Sequence, residues 1–283
     1  MQNRKINVGI TGHRGVIGGE FMKRNKKFNF LPFKGDITKK QSVEKWISKN
    51  NFKILLHFAA IATVSEVEKN FRNAKKVNYH GTKNLVDAIV KYKPSNLIWF
   101  FYASTSHVYK SSSKLIKEVD KKVPINLYGL TKLMAEKYIL KKKKYSRVGF
   151  CIGRVFSFTH YKQNDSYFIP AVYSKIYIKK EKKIFLSGLN QYRDFIGPKD
   201  ICDAIYFLCK KKPAGIYNIA SGKKNKLFKI VKILLGNKKV EITTDKKRDK
   251  NLAANISKIK KLGWKPKQNI KKILRWYIKN RKV

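Results

Sequence analysis

Ile6-Asn7-Val8-Gly9-Ile10-Thr11-Gly12-His13-Arg14-Gly15-Val16-Ile17-Gly18 is a short apolar run that passes directly into three glycines spaced three residues apart. The run has the length of a buried strand, and helix-like spacing begins within the glycines, so they occupy a strand-to-helix turn. Glycine permits a tight turn there. It also lets a pyrophosphate approach the backbone and rest on the positive end of the helix. Glycines that only let strand and helix pack together leave the same trace, so the surrounding pattern must decide.

Working outward, further apolar runs at 54–58, 97–102 and 149–153 are separated by segments with helical spacing at 16–26, 40–49, 73–92 and 129–144. This alternation is expected of a parallel sheet covered by helices on both faces. Beyond Arg154 it loosens: 215–219 reads as a strand, 227–235 as a helix, and 270–279 as an amphipathic helix with Ile270, Ile273, Leu274 and Tyr277 on one face. The expected fold class is α/β, a Rossmann-type doubly wound parallel sheet with a smaller mixed α/β C-terminal region. Residues 1–155 are expected to bind a dinucleotide and carry the catalytic groups. Residues 156–283 are expected mainly to bind substrate, with some segments returning to the first domain.

The chain has 283 residues and a formal net charge of +49. Such a charge admits a nucleic-acid or polyanion binder built on the same shell. However, the lysines are spread over every segment alongside abundant Ile, Asn, Phe and Tyr, which reads as compositional bias on a solvated surface and makes nucleic acid a poor expectation as partner. Cys151, Cys202 and Cys209 match no metal-ligand spacing and leave one thiol over if two pair, so no metal is expected and a reducing, cytoplasmic setting is. Neither a signal peptide nor a membrane span is readable.

The Gly12-x-x-Gly15-x-x-Gly18 turn resembles that of the extended short-chain dehydrogenases/reductases, the NAD-dependent epimerase/dehydratase family that modifies nucleotide-activated sugars. Gly35-Asp36-Ile37-Thr38 resembles the family's adenine-contacting segment. His57-Phe58-Ala59-Ala60 resembles its turn beneath the cofactor, and Val77-Asn78-Tyr79-His80-Gly81-Thr82 its next long helix. The resemblance implies cofactor contacts from Gly12, Arg14, Gly15, Val16, Ile17, Gly18, Asp36, Ile37, Phe58, Ala59, Ala60, Asn78 and Phe156, joined by Tyr128 and Lys132. Only one strand, 28–33, fits between the glycine turn and Gly35-Asp36, where many relatives have two strands and a helix. No acid ends that strand to hold a ribose 2′-hydroxyl, whereas Arg14 and Lys34 suit a 2′-phosphate, so the expected cofactor is NADP or NAD with a tilt to NADP. Gly12-His13-Arg14-Gly15 also resembles the turn of GDP-fucose synthases, which use NADPH.

Tyr-x-x-x-Lys occurs at Tyr79/Lys83, Tyr128/Lys132, Tyr138/Lys142 and Tyr206/Lys210, so spacing alone selects nothing. Only Tyr128/Lys132 follows a strand ending in Ala103-Ser104-Thr105-Ser106-His107-Val108-Tyr109, an order that resembles the family's hydroxyl, tyrosine and lysine arrangement. Four residues along a helix put Tyr128 and Lys132 on one face. The ammonium is expected to lower the phenol's pKa, Tyr128 to exchange a proton with a substrate oxygen during hydride transfer, and Thr105 to hydrogen-bond that oxygen.

Gln191-Tyr192-Arg193-Asp194-Phe195 resembles the stretch whose arginine contacts the substrate diphosphate, against the plainer reading of a salt bridge from Arg193 to Asp194 or Asp200. Ser106 and His107 are further substrate candidates. Ser157 stands where many relatives carry the asparagine of Arg-x-x-Asn, which leaves that substrate contact open. Reduction of a 4-keto-6-deoxy sugar nucleotide, 4-epimerisation and 4,6-dehydration share the same opening chemistry. Dehydration in the family needs an acidic pair where Ser106-His107 stands, and the short chain favours reductase over epimerase. A cofactor-binding protein without turnover is disfavoured by the presence of Thr105, Tyr128 and Lys132 together. The resemblance also implies a homodimer through the helices at 73–92 and 129–144.

Overall fold

The computed structural model describes residues 5–245 and 251–281. Strands β1 (Ile6–Thr11), β2 (Phe28–Pro32), β3 (Ile54–His57), β4 (Trp99–Thr105) and β5 (Gly149–Val155) belong to one parallel sheet. In the second half, β6 (Lys183–Phe185) and β7 (Tyr192–Arg193) lie outside it, but β8 (Gly215–Ile219) returns as its sixth strand, giving the order β2-β1-β3-β4-β5-β8. The short connection after the glycine turn therefore leaves β2 as an edge strand.

Period-two alternation along the strands sorts the side chains into two cores. Trp99 and Phe101 of β4, with Cys151 and Val155 of β5, face α1 (Val16–Arg24), α8 (Pro198–Lys211) and α10 (Ser257–Lys261). Phe100 and Tyr102, with Phe150 and Ile152, face α2 (Lys40–Lys49), α5 (Gly81–Tyr92) and α6 (Leu127–Lys142). Both faces of the inner strands are buried, which is why they read as continuous apolar runs. A third core joins α7 (Phe168–Tyr173), α9 (Leu227–Leu235) and α11 (Ile270–Asn280), with β6 paired to β10 (Glu241–Thr243) and β7 to β9 (Asn225–Lys226) nearby.

The structure adds detail to these expectations. The helix expected at 73–92 is continuous from Phe71 to Tyr92, but α4 (Phe71–Lys75) joins α5 through a π-turn at Lys76–His80, with short α3 (Val64–Lys69) before it, and such turns recur at functional sites. The strand expected at 97–102 starts at Trp99 and runs on to Thr105, because Ala103, Ser104 and Thr105 pair with Gly153, Arg154 and Val155. Helix α8 was not anticipated, although Pro198 at its first turn and Ile201, Ala204, Ile205 and Leu208 on one face spell it out.

Among the described residues no helix is long and apolar enough to cross a membrane.

Candidate active site

The chain leaves β1 toward β2 on one side and returns to β3 on the other, which opens a crevice at the carboxyl ends of β1 and β3. The glycine turn sits in this crevice. Gly12 has φ +69°, and a Cβ on it would lie 2.4 Å from the Ala59 backbone nitrogen; one on Gly18 would lie 2.3 Å from the Gly12 carbonyl oxygen. Both positions thus demand glycine. Gly15 is different: it is the N-cap of α1 and has only the Gly12 oxygen nearby, at 3.2 Å from a built Cβ. No side chain caps α1 and no acid occupies its first turn, so the amides of Val16, Ile17 and Gly18 face the crevice as an anion cradle. Burial, then the charges of Arg14 and Lys34, depress the pKa of His13 in this turn.

Asp36 and Ile37 follow β2. Asp36 accepts two 2.8 Å hydrogen bonds from the backbone and hydroxyl of Thr38, which hold its carboxyl below the ordinary range. Ile37 is buried beneath Gly81. Phe58, Ala59 and Ala60 leave β3 partly exposed along the floor of the crevice. Asn78, wholly buried on the π-turn, grips Ile61 by both backbone groups, at 2.8 and 2.9 Å, and reaches Thr131 Oγ1 at 3.0 Å.

A buried chain of polar groups continues from there. Thr82 donates to the Asn78 carbonyl at 2.7 Å, so it accepts from His57 Nε2 at 2.9 Å, and His57 Nδ1 in turn accepts from Thr11 at 2.6 Å. Burial, helped by the charge of Lys132, pushes the His57 pKa down to about 3, consistent with a neutral ring fixed in this tautomer. The relay ties the end of β1 to α5 and α6, and a fully satisfied buried network of this kind rigidifies its surroundings.

Asn126 caps α6 by accepting from the Gly129 amide at 2.8 Å, so its Nδ2 is the donor to His107 Nδ1 at 2.9 Å. The His107 ring meets Tyr128 edge-on, with centroids 5.8 Å apart. Gly129 is required here, since a Cβ would fall 2.2 Å from the His107 carbonyl oxygen. Thr105, at the end of β4, accepts from the His107 amide at 3.3 Å and lies near enough to the Tyr128 phenol to oppose the rise in its pKa. The structure therefore brings Thr105, His107 and Tyr128 together. Ser106, next to Thr105, is buried at 1 % exposed.

The electrostatics correct the expectation for the pair. Burial raises the Tyr128 phenol above its ordinary range, with the nearby Tyr167 adding to this and Thr105 opposing it. Burial also pushes Lys132 down to about 7 against the pull of Glu136. The Lys132 ammonium lies 4.2 Å from the centre of the Tyr102 ring, and desolvation is the largest influence on the Tyr128 phenol. The protein's own groups favour a protonated Tyr128.

Behind the pair lies a cluster that sequence reasoning missed. Arg154 of β5 forms a forked ion pair with Glu136 of α6, at 2.6 and 3.0 Å, and both side chains are 1 % exposed. Ser104 of β4 also donates to Glu136, while Arg154 donates to Tyr109 at 2.8 Å and Tyr109 to Asn218 of β8 at 2.6 Å. Glu136 stands four residues after Lys132, and that spacing was the available signal.

The other tyrosine–lysine pairs are differently employed. Tyr138 donates to Asp87, which also pairs with Lys83 at 2.8 Å, and the Tyr206 ring lies under Lys27. Phe156 is buried against Tyr109, and the Ser157 carbonyl accepts from Ile196 at 2.9 Å. Arg193 donates to Gln191 at 2.8 Å. Asp194 receives Ser221, Gly222 and Ala254, and Asp200 receives the Lys267 and Gln268 amides.

A glycine cradle at a sheet switch point, with a hydroxyl, a tyrosine and a lysine at its mouth, defines a dinucleotide-dependent enzyme of the short-chain dehydrogenase type. The chain belongs to the epimerase/dehydratase family of extended short-chain dehydrogenases, which act on nucleotide sugars: residues 20–276 match the family model described as GDP-mannose 4,6 dehydratase. It is 30 % identical over 235 residues to the GDP-6-deoxy-D-talose 4-dehydrogenase of Aggregatibacter actinomycetemcomitans, covering 80 % of this chain and 78 % of that one. The fold is similar to that of RMD from Pseudomonas aeruginosa complexed with NADPH (TM-score 0.87, 22 % identity, 97 % of this chain and 100 % of that chain). It is similar also to that of the Thermus thermophilus UDP-glucose 4-epimerase in complex with NAD (TM-score 0.82, 18 % identity, 97 % and 99 %).

Proposed function

We propose that the protein reduces the 4-keto group of a nucleotide-activated 6-deoxy sugar, with Tyr128 as proton donor. What supports this reading is the place of Tyr128 beside Thr105 and His107 at the mouth of the crevice, where desolvation favours the protonated phenol that a reductase needs as donor. A 4-epimerase must begin by removing a proton from a hydroxyl, for which a phenolate is needed. The relative from Aggregatibacter is named for redox chemistry at the same position of a GDP-6-deoxy sugar, and ketone reduction is the reverse of that dehydrogenation. Ser106 and His107 provide no carboxyl where a dehydratase would use one.

The cradle of α1 amides fits a dinucleotide pyrophosphate, and Arg14 with Lys34 fits the 2′-phosphate of NADP. Bound there, the nicotinamide supplies the hydride. Thr105 and Tyr128 then hold the carbonyl oxygen and Tyr128 gives it a proton, while Lys132, buried on the Tyr102 ring, supplies a cation to the same face of α6. Arg193 is assigned to the substrate diphosphate.

Following absorbance with NADPH and either GDP-4-keto-6-deoxymannose or dTDP-4-keto-6-deoxyglucose tests the reading. Oxidation of NADPH is expected with at least one sugar. Silence with both, alongside conversion of UDP-glucose to UDP-galactose, would replace reductase by epimerase. Silence with all sugars and tight, salt-sensitive nucleic-acid binding would overturn the enzyme reading.

Arg14→Ala combined with Lys34→Ala is expected to weaken NADPH binding about 10²-fold or more, since each charged hydrogen bond is worth about 1.5–3 kcal/mol. NADH binding should change less than about 3-fold on the same scale. Equal losses for both cofactors would remove the tilt to NADP.

A further inference from the structure

Tyr167 is a second phenol at the edge of the crevice: its hydroxyl meets Thr63 at 3.2 Å, in the segment that continues from the crevice floor after β3. A chain of contacts ties that segment to α6, since Asn78 grips Ile61, two residues before Thr63, and meets at 3.0 Å the Thr131 hydroxyl that donates to the Tyr128 backbone carbonyl at 2.8 Å. Its nearness to Tyr128 is also felt electrostatically, since Tyr167 is the leading charge among those acting on that phenol. The loop that delivers it is anchored. Arg281 donates to the Tyr161 carbonyl at 3.1 Å and pairs with Asp165 at 3.0 Å, so Tyr167 enters α7 from a held position.

One hydrogen bond to Thr63 leaves the phenol with further donor or acceptor capacity. Ten residues earlier in the same loop, Ser157 stands where many relatives carry an asparagine that contacts the substrate, and its own carbonyl accepts from Ile196. We propose that Tyr167, oriented by Thr63, hydrogen-bonds the sugar 3-hydroxyl, the ring hydroxyl adjacent to the carbon served by Tyr128, and so determines which hexose is accepted. This rests on the 4-keto reductase reading. A site built to bond a hydroxyl discriminates against an analogue lacking it, because its polar group is left unpaired.

The test uses the panel sugar that the wild type reduces fastest, together with its 3-deoxy analogue. Tyr167→Phe is expected to lower kcat/KM on the parent sugar about 3- to 10-fold, the effect of one neutral hydrogen bond, while leaving the analogue within about 2-fold and NADPH affinity unchanged. Equal losses on both sugars, or none on the parent, overturn the assignment while leaving the reductase reading intact. Failure of the wild type to reduce any sugar of the panel overturns the reductase reading and this assignment with it. Thr63→Val should reproduce the selective loss at smaller size, and it decides the matter should Tyr167→Phe fold poorly.

Discussion

Tyr128→Phe is expected to leave a folded protein that binds dinucleotide as the wild type does but reduces its sugar about 10²- to 10⁴-fold more slowly, the usual range for loss of a positioned proton donor. The phenyl ring keeps the edge-on contact with His107, and α6 keeps its Asn126 cap, so the variant loses a proton and little packing. Tyr138→Phe is the matched control. It lies on the same helix and is also followed by a lysine four residues later, yet its hydroxyl is spent on Asp87, so turnover should change less than about 2-fold. Single-turnover rates, with cofactor affinity measured by fluorescence, separate the two variants. Wild-type turnover by Tyr128→Phe, or an equal loss in Tyr138→Phe, would refute the assignment of the pair.

That contrast marks how far the sequence could be read. Buried strands and amphipathic helices leave local periodicity, so β1, α2, β8, α9 and the glycine turn could be placed from the residues themselves. Singling out Tyr128 among four matches was possible as well, because a strand, a hydroxyl and a helix start precede it. Contacts between residues far apart in the chain leave no such trace. Nothing local ties Glu136 to Arg154 and Ser104, or Tyr167 to Thr63 across 104 residues. The expected lowering of the phenol failed for a related reason. Sequence spacing puts a lysine on the same face as Tyr128, but burial and the place of the ammonium over Tyr102 depend on packing from other elements.

The same packing makes Glu136→Gln the most damaging conservative change to the fold. Removing one partner of a buried ion pair leaves an uncompensated charge and costs about 3–5 kcal/mol, against about 0–1 kcal/mol for a surface pair. Here the stranded group would be the Arg154 guanidinium, held among β4, β5, β8 and α6. For a chain of this length that loss corresponds to a fall in Tm on the order of 10 °C. The cluster joins the helix bearing Tyr128 and Lys132 to the strand bearing Thr105, so catalytic geometry should loosen with it. Arg154→Met should be comparably destabilising. Combining it with Glu136→Leu should recover most of the Tm, because a well-packed apolar pair often replaces a buried ion pair at no net cost. Thermal unfolding followed by circular dichroism decides this, and a Glu136→Gln protein melting within about 2 °C of the wild type, on that same scale, would show that the pair contributes little.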